Sequence, residues 1–199
     1  MPELDTTPRS AFDGLLPLAG PHDGLEVIDR DGCGLATLVV RRDARKALRA
    51  ALISQYGVEL RDGPVVSRGA RISLIGTGAD SWLAVSAGPN AGLYADLAAR
   101  LAGCASLSDQ SDGYGLLGVR GANAATVLQR LLPIDLHPDA FPVGAAAATL
   151  AAHIPLLLWR SGEAEFEVAV FRSYAGSFIH ALDGAARPFR RSAAPTARG

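Results

Sequence analysis

Residues 165–182 read EFEVAVFRSYAGSFIHAL. Over residues 165–171 the apolar and polar side chains alternate. Phe166, Val168 and Val170 fall on one face and Glu165, Glu167 and Ala169 on the other, which is the pattern of a β-strand. From Tyr174 to Leu182 the pattern changes to that of a helix, and Ser173 stands before it as the expected N-cap. The same succession occurs earlier, with a strand over 82–86 and a helix over 91–101. In that helix Leu93, Leu97 and Leu101 recur at i, i+4 and i+8, and Gly103 is the expected stop.

A second pair of strand–helix units follows the same plan. Residues 35–40 (LATLVV) read as a strand, followed by Asp43 as expected N-cap and a helix over 44–54. Residues 114–120 (YGLLGVR) read as a strand, followed by a helix over 122–132 that Pro133 ends. The offset from Leu35 to Tyr114 is nearly the offset from Trp82 to Glu165. Residues 71–75 complete a strand pair with 82–86 around the turn GTGAD, and residues 147–153 and 156–160 are strands before the last one. The two halves thus read as related β-α-β-β-α units, close to a split βαβ unit, with one further strand before the last helix of the second half. The expected fold class is α+β, with two related halves (25–104 and 105–187) and mixed, mainly antiparallel sheet. Residues 1–24, with Pro2, Pro8, Pro17 and Pro21, are expected to form an extended arm, and residues 188–199 a disordered tail.

Composition narrows the function. The chain has 199 residues, 49% hydrophobic and 20% charged, with 19 basic and 20 acidic side chains and a net charge of −1. Such totals suit a globular protein and leave no basic patch, so no nucleic-acid partner is expected. No apolar run reaches the roughly 18 residues of a membrane span, and the acidic N-terminus lacks the apolar stretch of a secretory signal. The expectation is a cytoplasmic protein without a membrane partner. Cys33 and Cys104 lie far apart in the sequence and in no metal-ligand spacing, which argues against zinc.

The usual catalytic patterns are missing. There is no GxSxG elbow, no P-loop, and no GxGxxG after an expected strand. The GxG fragments at 76–78 and 32–34 read as tight turns. His22, His137, His153 and His180 form no i, i+4 pair. His153 reads as a core or edge histidine in a strand and His180 as a surface residue near a helix C-terminus. Asp109 and Asp112, in DQSDG, read either as an acid/base pair or as turn residues whose side chains bond back to local amides. Residues 133–144 (PIDLHPDAFPVG) are the most distinctive stretch. Three prolines and a glycine restrict a loop carrying Asp135, His137, Pro138, Phe141 and Pro142. It reads either as a preorganised recognition surface or as a structural crossover.

That loop also carries a family resemblance. Residues 131–160, LLPIDLHPDAFPVGAAAATLAAHIPLLLWR, resemble the gamma subunits of heterotetrameric sarcosine oxidase. Those subunits read close to DLHP-x-x-F-x-x-G, then an alternating strand with a Thr, then an apolar strand ending in Arg. FEVAVFRSYAGSFIHAL resembles the family's RSFA junction, with Tyr174 in place of Phe. Asp80-Ser81-Trp82-Leu83 resembles a G-P-D-E-W-L strand start, with Gly-Ala-Asp-Ser for the usual Gly-Pro-Asp-Glu. Residues 109–113 resemble a D-x-S-D-G turn, and Gly121 an L-S-G before a helix. The resemblance spans about residues 75–186; residues 1–70 match less well.

The resemblance implies a subunit that is non-catalytic and cofactor-free by itself. Its partners would be the alpha, beta and delta subunits of a complex that oxidatively demethylates sarcosine to glycine. FAD, FMN, NAD and tetrahydrofolate would sit in the partner subunits. It also implies a fold similar to the folate-binding aminomethyltransferase domain. The expected interface residues are Asp135, His137, Pro138, Phe141, Pro142 and Arg172. No catalytic, cofactor-binding or metal residue is assigned. Two alternatives remain: a free-standing folate-binding protein of the aminomethyltransferase-like class, or the equivalent subunit of a complex acting on another N-methylated amine.

Overall fold

The computed structural model describes residues 9–19 and 21–190. The first half contains strands β1 (Glu26–Asp29) and β2 (Cys33–Val40), helix α1 (Arg45–Tyr56), strands β3 (Val66–Arg68), β4 (Ile72–Gly78) and β5 (Ser81–Pro89), and helix α2 (Leu93–Arg100). The second half runs in the same order: β6 (Ala105–Asp109), β7 (Tyr114–Arg120), α3 (Ala124–Gln129), β8 (Ala146–Ala151), β9 (Ile154–Gly162), β10 (Glu165–Phe171) and α4 (Ala175–Ala186). Each half is therefore ββαβββα. The expected β-α-β-β-α order lacked β1, β3 and β6, which have 4, 3 and 5 residues.

The strands form two five-stranded sheets, ordered β3-β4-β5-β2-β6 and β8-β9-β10-β7-β1. Read in the chain order of each half, the two sheets match strand for strand, except that the first strand of each half lies in the other half's sheet. β1 pairs with β7 through Val27↔Val119, and β6 pairs with β2 through Leu38↔Leu107. Every pairing between these strands is antiparallel, so the expected mixed component is not seen among them.

The buried side chains sort into three layers of packing. Ala36, Leu38, Leu74 and Trp82 face outward from the first sheet onto Leu48 and Leu52 of α1 and Leu93 and Leu97 of α2. Leu117, Val119, Phe166, Val168 and Val170 face outward from the second sheet onto Val127 of α3 and Phe178 and Leu182 of α4. Leu35, Ile75, Leu83 and Val85 meet Leu116, Leu157, Trp159 and Ala169 between the sheets. The result is helices, sheet, sheet, helices. Both faces of each sheet are covered, so on the face of β10 expected to be polar Glu167 is only 6% exposed, while Glu165 at the strand's start stays exposed.

Local expectations at three helix ends need correction. Asp43 does not cap α1: it sits at φ 60 and Ala44 is the N-cap, with no side-chain cap bond. Ser173 does not cap α4, because residues 172–174 form a 3-10 turn and Tyr174 is the N-cap. Gly103 lies past the α2 C-cap, Leu101, at φ 79.

The N-terminal arm is corrected where it is described. Residues 11–15 form turns, and Phe12 (1% exposed) and Leu18 join the core of the second sheet. Gly115 on β7 is what admits Phe12: a Cβ there would lie 2.6 Å from its ring. Residues 1–8 and 191–199, which carry much of the expected arm and tail, lie outside the described residues. The described start of the tail is ordered, since residues 187–189 form a 3-10 turn and Arg190 pairs with His22 and Asp183.

Candidate interface site

After α3 a turn at residues 130–131 leads to Pro133, which starts the proline-restricted loop. The Gln129 side chain brackets the loop's start: its Nε2 donates to Ile134 O at 2.6 Å and its Oε1 accepts from Leu136 N at 2.9 Å. Asp135 Oδ1 accepts from His137 N at 2.8 Å, forming an Asx turn. His137 O then accepts from Ala140 N at 3.0 Å and Phe141 N at 2.8 Å. The loop folds back on itself before it enters β8.

Arg160, 5% exposed on β9, holds the loop against the sheet. Its Nη1 donates to Phe141 O at 3.0 Å and Leu136 O at 3.5 Å, its Nε to Gly162 O at 3.2 Å, and its Nη2 to Glu163 O. The guanidinium also lies 5.3 Å from the Phe166 ring centroid. A buried cation is tolerated when its donors are used, and here backbone carbonyls use them.

These bonds decide which side chains point inward. Leu136 (1% exposed) and Phe141 (7% exposed) belong to the core of the second sheet. Phe141 is therefore not the exposed anchor expected from the sequence. Arg160 draws the loop's backbone onto β9, and the Phe141 ring lies in the same core as Val127 and Leu128 of α3. Asp135, His137, Pro138 and Pro142 do face solvent, with Val143 beside them at 52% exposed. His137 Nδ1 accepts from Asp139 N at 3.4 Å. Between α3 and the loop lies a groove of about 570 Å³, lined by Ala122, Ala125, Gln129, Asp135, His137 and Pro138. Of the six expected interface residues, the structure brings four together on this surface.

Arg172 lies elsewhere. Its guanidinium bonds the Arg9 carbonyl and its backbone N–H donates to Gly113 O at 2.9 Å. It engages its own N-terminal segment and lines a separate cleft with Asp29, Asp109 and Tyr114.

The DQSDG stretch is a turn. Asp109 Oδ1 accepts from Ser111 N at 3.0 Å and Ser111 Oγ at 2.8 Å, and Ser111 Oγ also accepts from Leu35 N at 3.1 Å. The structure therefore favours the turn alternative over the acid/base pair. His153 is exposed in the β8–β9 turn at φ 70, not in a strand, and His180 is exposed on α4. Among the described residues no group of three or more His, Cys, Asp or Glu could hold a metal, and no helix is long and apolar enough to cross a membrane.

Sequence reasoning missed the polar cluster at Glu167. Glu167 Oε1 pairs with Arg30 at 3.0 Å and lies 3.9 Å from Arg120. Burial pushes its carboxyl above the ordinary glutamate range, against the opposing pull of Arg30 and Arg120. The available signal was the unbroken apolar run of β9 (IPLLLW), which marks a sheet covered on both faces.

Residues 41–187 match the model of the "Sarcosine oxidase, gamma subunit family". The chain belongs to the sarcosine oxidase gamma subunit family. This match carries the likeness upstream from residue 75 to residue 41. A sarcosine oxidase subunit gamma from Arthrobacter sp. is 35% identical over 160 residues, 79% of this chain and 77% of that one. The one from Corynebacterium sp. (strain P-1) is 34% identical over 70% of each chain. A solved heterotetrameric sarcosine oxidase from Corynebacterium sp. U-96 contains a similar chain. It has TM-score 0.80 and 26% identity, covering 94% of this chain and 98% of that one. The fold is also that of the aminomethyltransferase of a glycine cleavage system from Bartonella henselae, with TM-score 0.60, 18% identity, and 87% and 48% coverage. The duplicated α+β order agrees with both.

Proposed function

We propose that this chain is the gamma subunit of a heterotetrameric complex that oxidatively demethylates sarcosine to glycine. The observation that carries this is the similarity over 94% of the chain to a chain of the heterotetrameric Corynebacterium enzyme, at TM-score 0.80. The alpha, beta and delta subunits are the partners, and FAD, FMN, NAD and tetrahydrofolate belong to them. The chain contributes structure and no chemistry of its own. That reading is supported by the polar groups of the loop and of the DQSDG turn, whose bonds serve their own backbone.

The surface around Asp135, His137, Pro138, Pro142 and Val143 is where we place a subunit contact. Its backbone is held from behind by Arg160, so little entropy is lost on docking. The test is co-expression of the tagged chain with its alpha, beta and delta partners. The chain should co-purify with yellow subunits in an assembly that oxidises sarcosine, and should be colourless and inactive by itself. Stoichiometric flavin retained by the isolated chain, or failure to co-purify, defeats the proposal. Within the assembly, a Val143→Asp exchange should weaken co-purification and leave the melting temperature of the free chain unchanged.

A further inference from the structure

Four strands lie at sheet edges: β1 and β8 in one sheet, β3 and β6 in the other. An open edge invites pairing with another chain, and short length or charged side chains suppress it. Three of the four edges follow that rule. β1 has 4 residues and carries Glu26 and Asp29, β3 has 3 and carries Arg68, and β6 has 5 and carries Asp109. β8 reads AAATLA over 6 residues, with no charge and no proline. Its Leu150 is 47% exposed.

The edge of β8 is already used at one end. Val65 pairs with Ala145, Val66 N donates to Gly144 O at 2.8 Å, and Ala146 N donates to Pro64 O at 2.8 Å. Upstream of Pro64 the chain leaves β8, with Asp62 held by Arg49 of α1 at 2.9 Å. An antiparallel strand directs the backbone groups of successive residues to alternate sides. Ala148 and Leu150 therefore point theirs outward, as Ala146 does, and among the described residues neither makes a backbone bond on that side. Cavities flank this open stretch. One, of about 480 Å³, has Gly76, Thr77 and Gly78 across from Ala148. Another, of about 310 Å³, is lined by Tyr114, Leu150, Pro155, Leu157 and Phe171. Tyr114 stacks on Phe171 at 4.6 Å, and Phe171 is still 41% exposed.

We propose that β8 accepts an extended segment of a partner subunit. The segment continues along the edge where Pro64 leaves it, pairs with the backbone of Ala148 and Leu150, and lays an apolar side chain against Leu150 and Phe171. Unpaired backbone N–H and C=O groups at strand spacing specify an extended chain, and the apolar cavity beside Leu150 specifies an uncharged side chain. The edge of a second folded copy does not suit this place. Gly76, Thr77 and Gly78 wall the far side of the slot at Ala148, so it admits a single extended segment and not a whole sheet. The loop surface proposed above leads directly into this strand, with exposed Val143 standing just before it. The inference rests on the subunit reading, which supplies the partner chains.

Hydrogen exchange of single amides, followed by mass spectrometry, tests it on the full chain, free and in the co-purified assembly. In the free chain the amides of Ala148 and Leu150 should exchange fast, and those of Thr149 and Ala151, directed at β9, slowly. In the assembly the first pair should slow by about tenfold or more and the second pair should change little. Leu150→Lys, at an exposed position, should leave the melting temperature of the free chain unchanged and raise the concentration needed for assembly by about tenfold. Amides of Ala148 and Leu150 that stay fast in the assembly overturn the proposal, as does a Leu150→Lys chain that assembles like the parent. Slow exchange of these amides in the free chain also overturns it. If that slowing vanishes on dilution, a second copy covers the edge; if it persists, the chain covers its own edge. Failure of the parent chain to co-purify defeats the subunit reading as well, whereas fast amides within an active assembly defeat this proposal alone.

Discussion

Two buried residues set what single substitutions should do. Phe141 is 7% exposed and packs into the core that Leu136 shares. Phe141→Ala should therefore cost about 3–5 kcal/mol and lower the melting temperature of the free chain, with any loss of assembly secondary to that. An unchanged melt would return Phe141 to the surface. Glu167 gives a pH signature. Its folded carboxyl titrates above the ordinary value of 4.5, chiefly through burial. A raised folded pKa means that the neutral form is favoured on folding. The resulting stability is fully present below the unfolded value and is lost as pH rises through the folded one. Glu167→Gln stays neutral throughout. Denaturation at a series of pH values should show the parent chain losing stability relative to the variant from about 4.5 upward until Glu167 is ionised, and a flat difference above that. A difference flat over the whole range would show that the carboxyl is not perturbed.

At the scale of elements, long apolar periodicity was legible and ends were not. β7 and β10 were legible to the residue because seven alternating or apolar positions leave one register. β1, β3 and β6 were not readable: EVID, VSR and ASLSD carry too few apolar positions, and their partners' open hydrogen-bonding edges make them strands. The expected caps failed too. Asp43 and Ser173 are suitable cap residues by type, but Asp43 sits at φ 60 one residue before the N-cap and Ser173 lies inside a 3-10 turn, so neither stands where a cap is made. The C-terminus of α1 is the better-defined end. Gly57 adopts φ 65 and donates to Ile53 O at 3.0 Å, and a Cβ there would meet nothing within 4 Å. Gly57→Ala should then cost only the left-handed backbone strain, about 1–2 kcal/mol, read as a lower melting temperature, with Gly57→Asn milder. Equal melts for parent and alanine variant would show that the helix ends otherwise.

Across the whole molecule, the exchange of edge strands makes each half depend on the other. A fragment of residues 9–104 carries β1 without β7 and exposes Leu35, Leu83 and Val85. A fragment of residues 105–190 carries β6 without β2 and exposes Leu157 and Trp159. Neither fragment should give a cooperative thermal melt by itself, and the mixture should recover one, as followed by circular dichroism. Two independent cooperative melts at the parent temperature would mean that the halves are separate domains joined only by the turn after α2.

The sequence by itself determined the α+β class, the internal duplication and the family, because periodicity, turn chemistry and motif order are written locally along the chain. It also marked the loop at residues 133–144 as special, but left open whether its side chains face in or out. Tertiary structure decided that Phe141 faces in, since Arg160 reaches the loop from β9 and the ring lies in the core of Val127 and Leu128. It also decided that Glu167 is buried and only half paired, since one strand's polar face is covered by a second sheet built mainly from the other half of the chain. Burial of that kind depends on which surfaces meet, and alternation within one strand carries no information about what lies across from it.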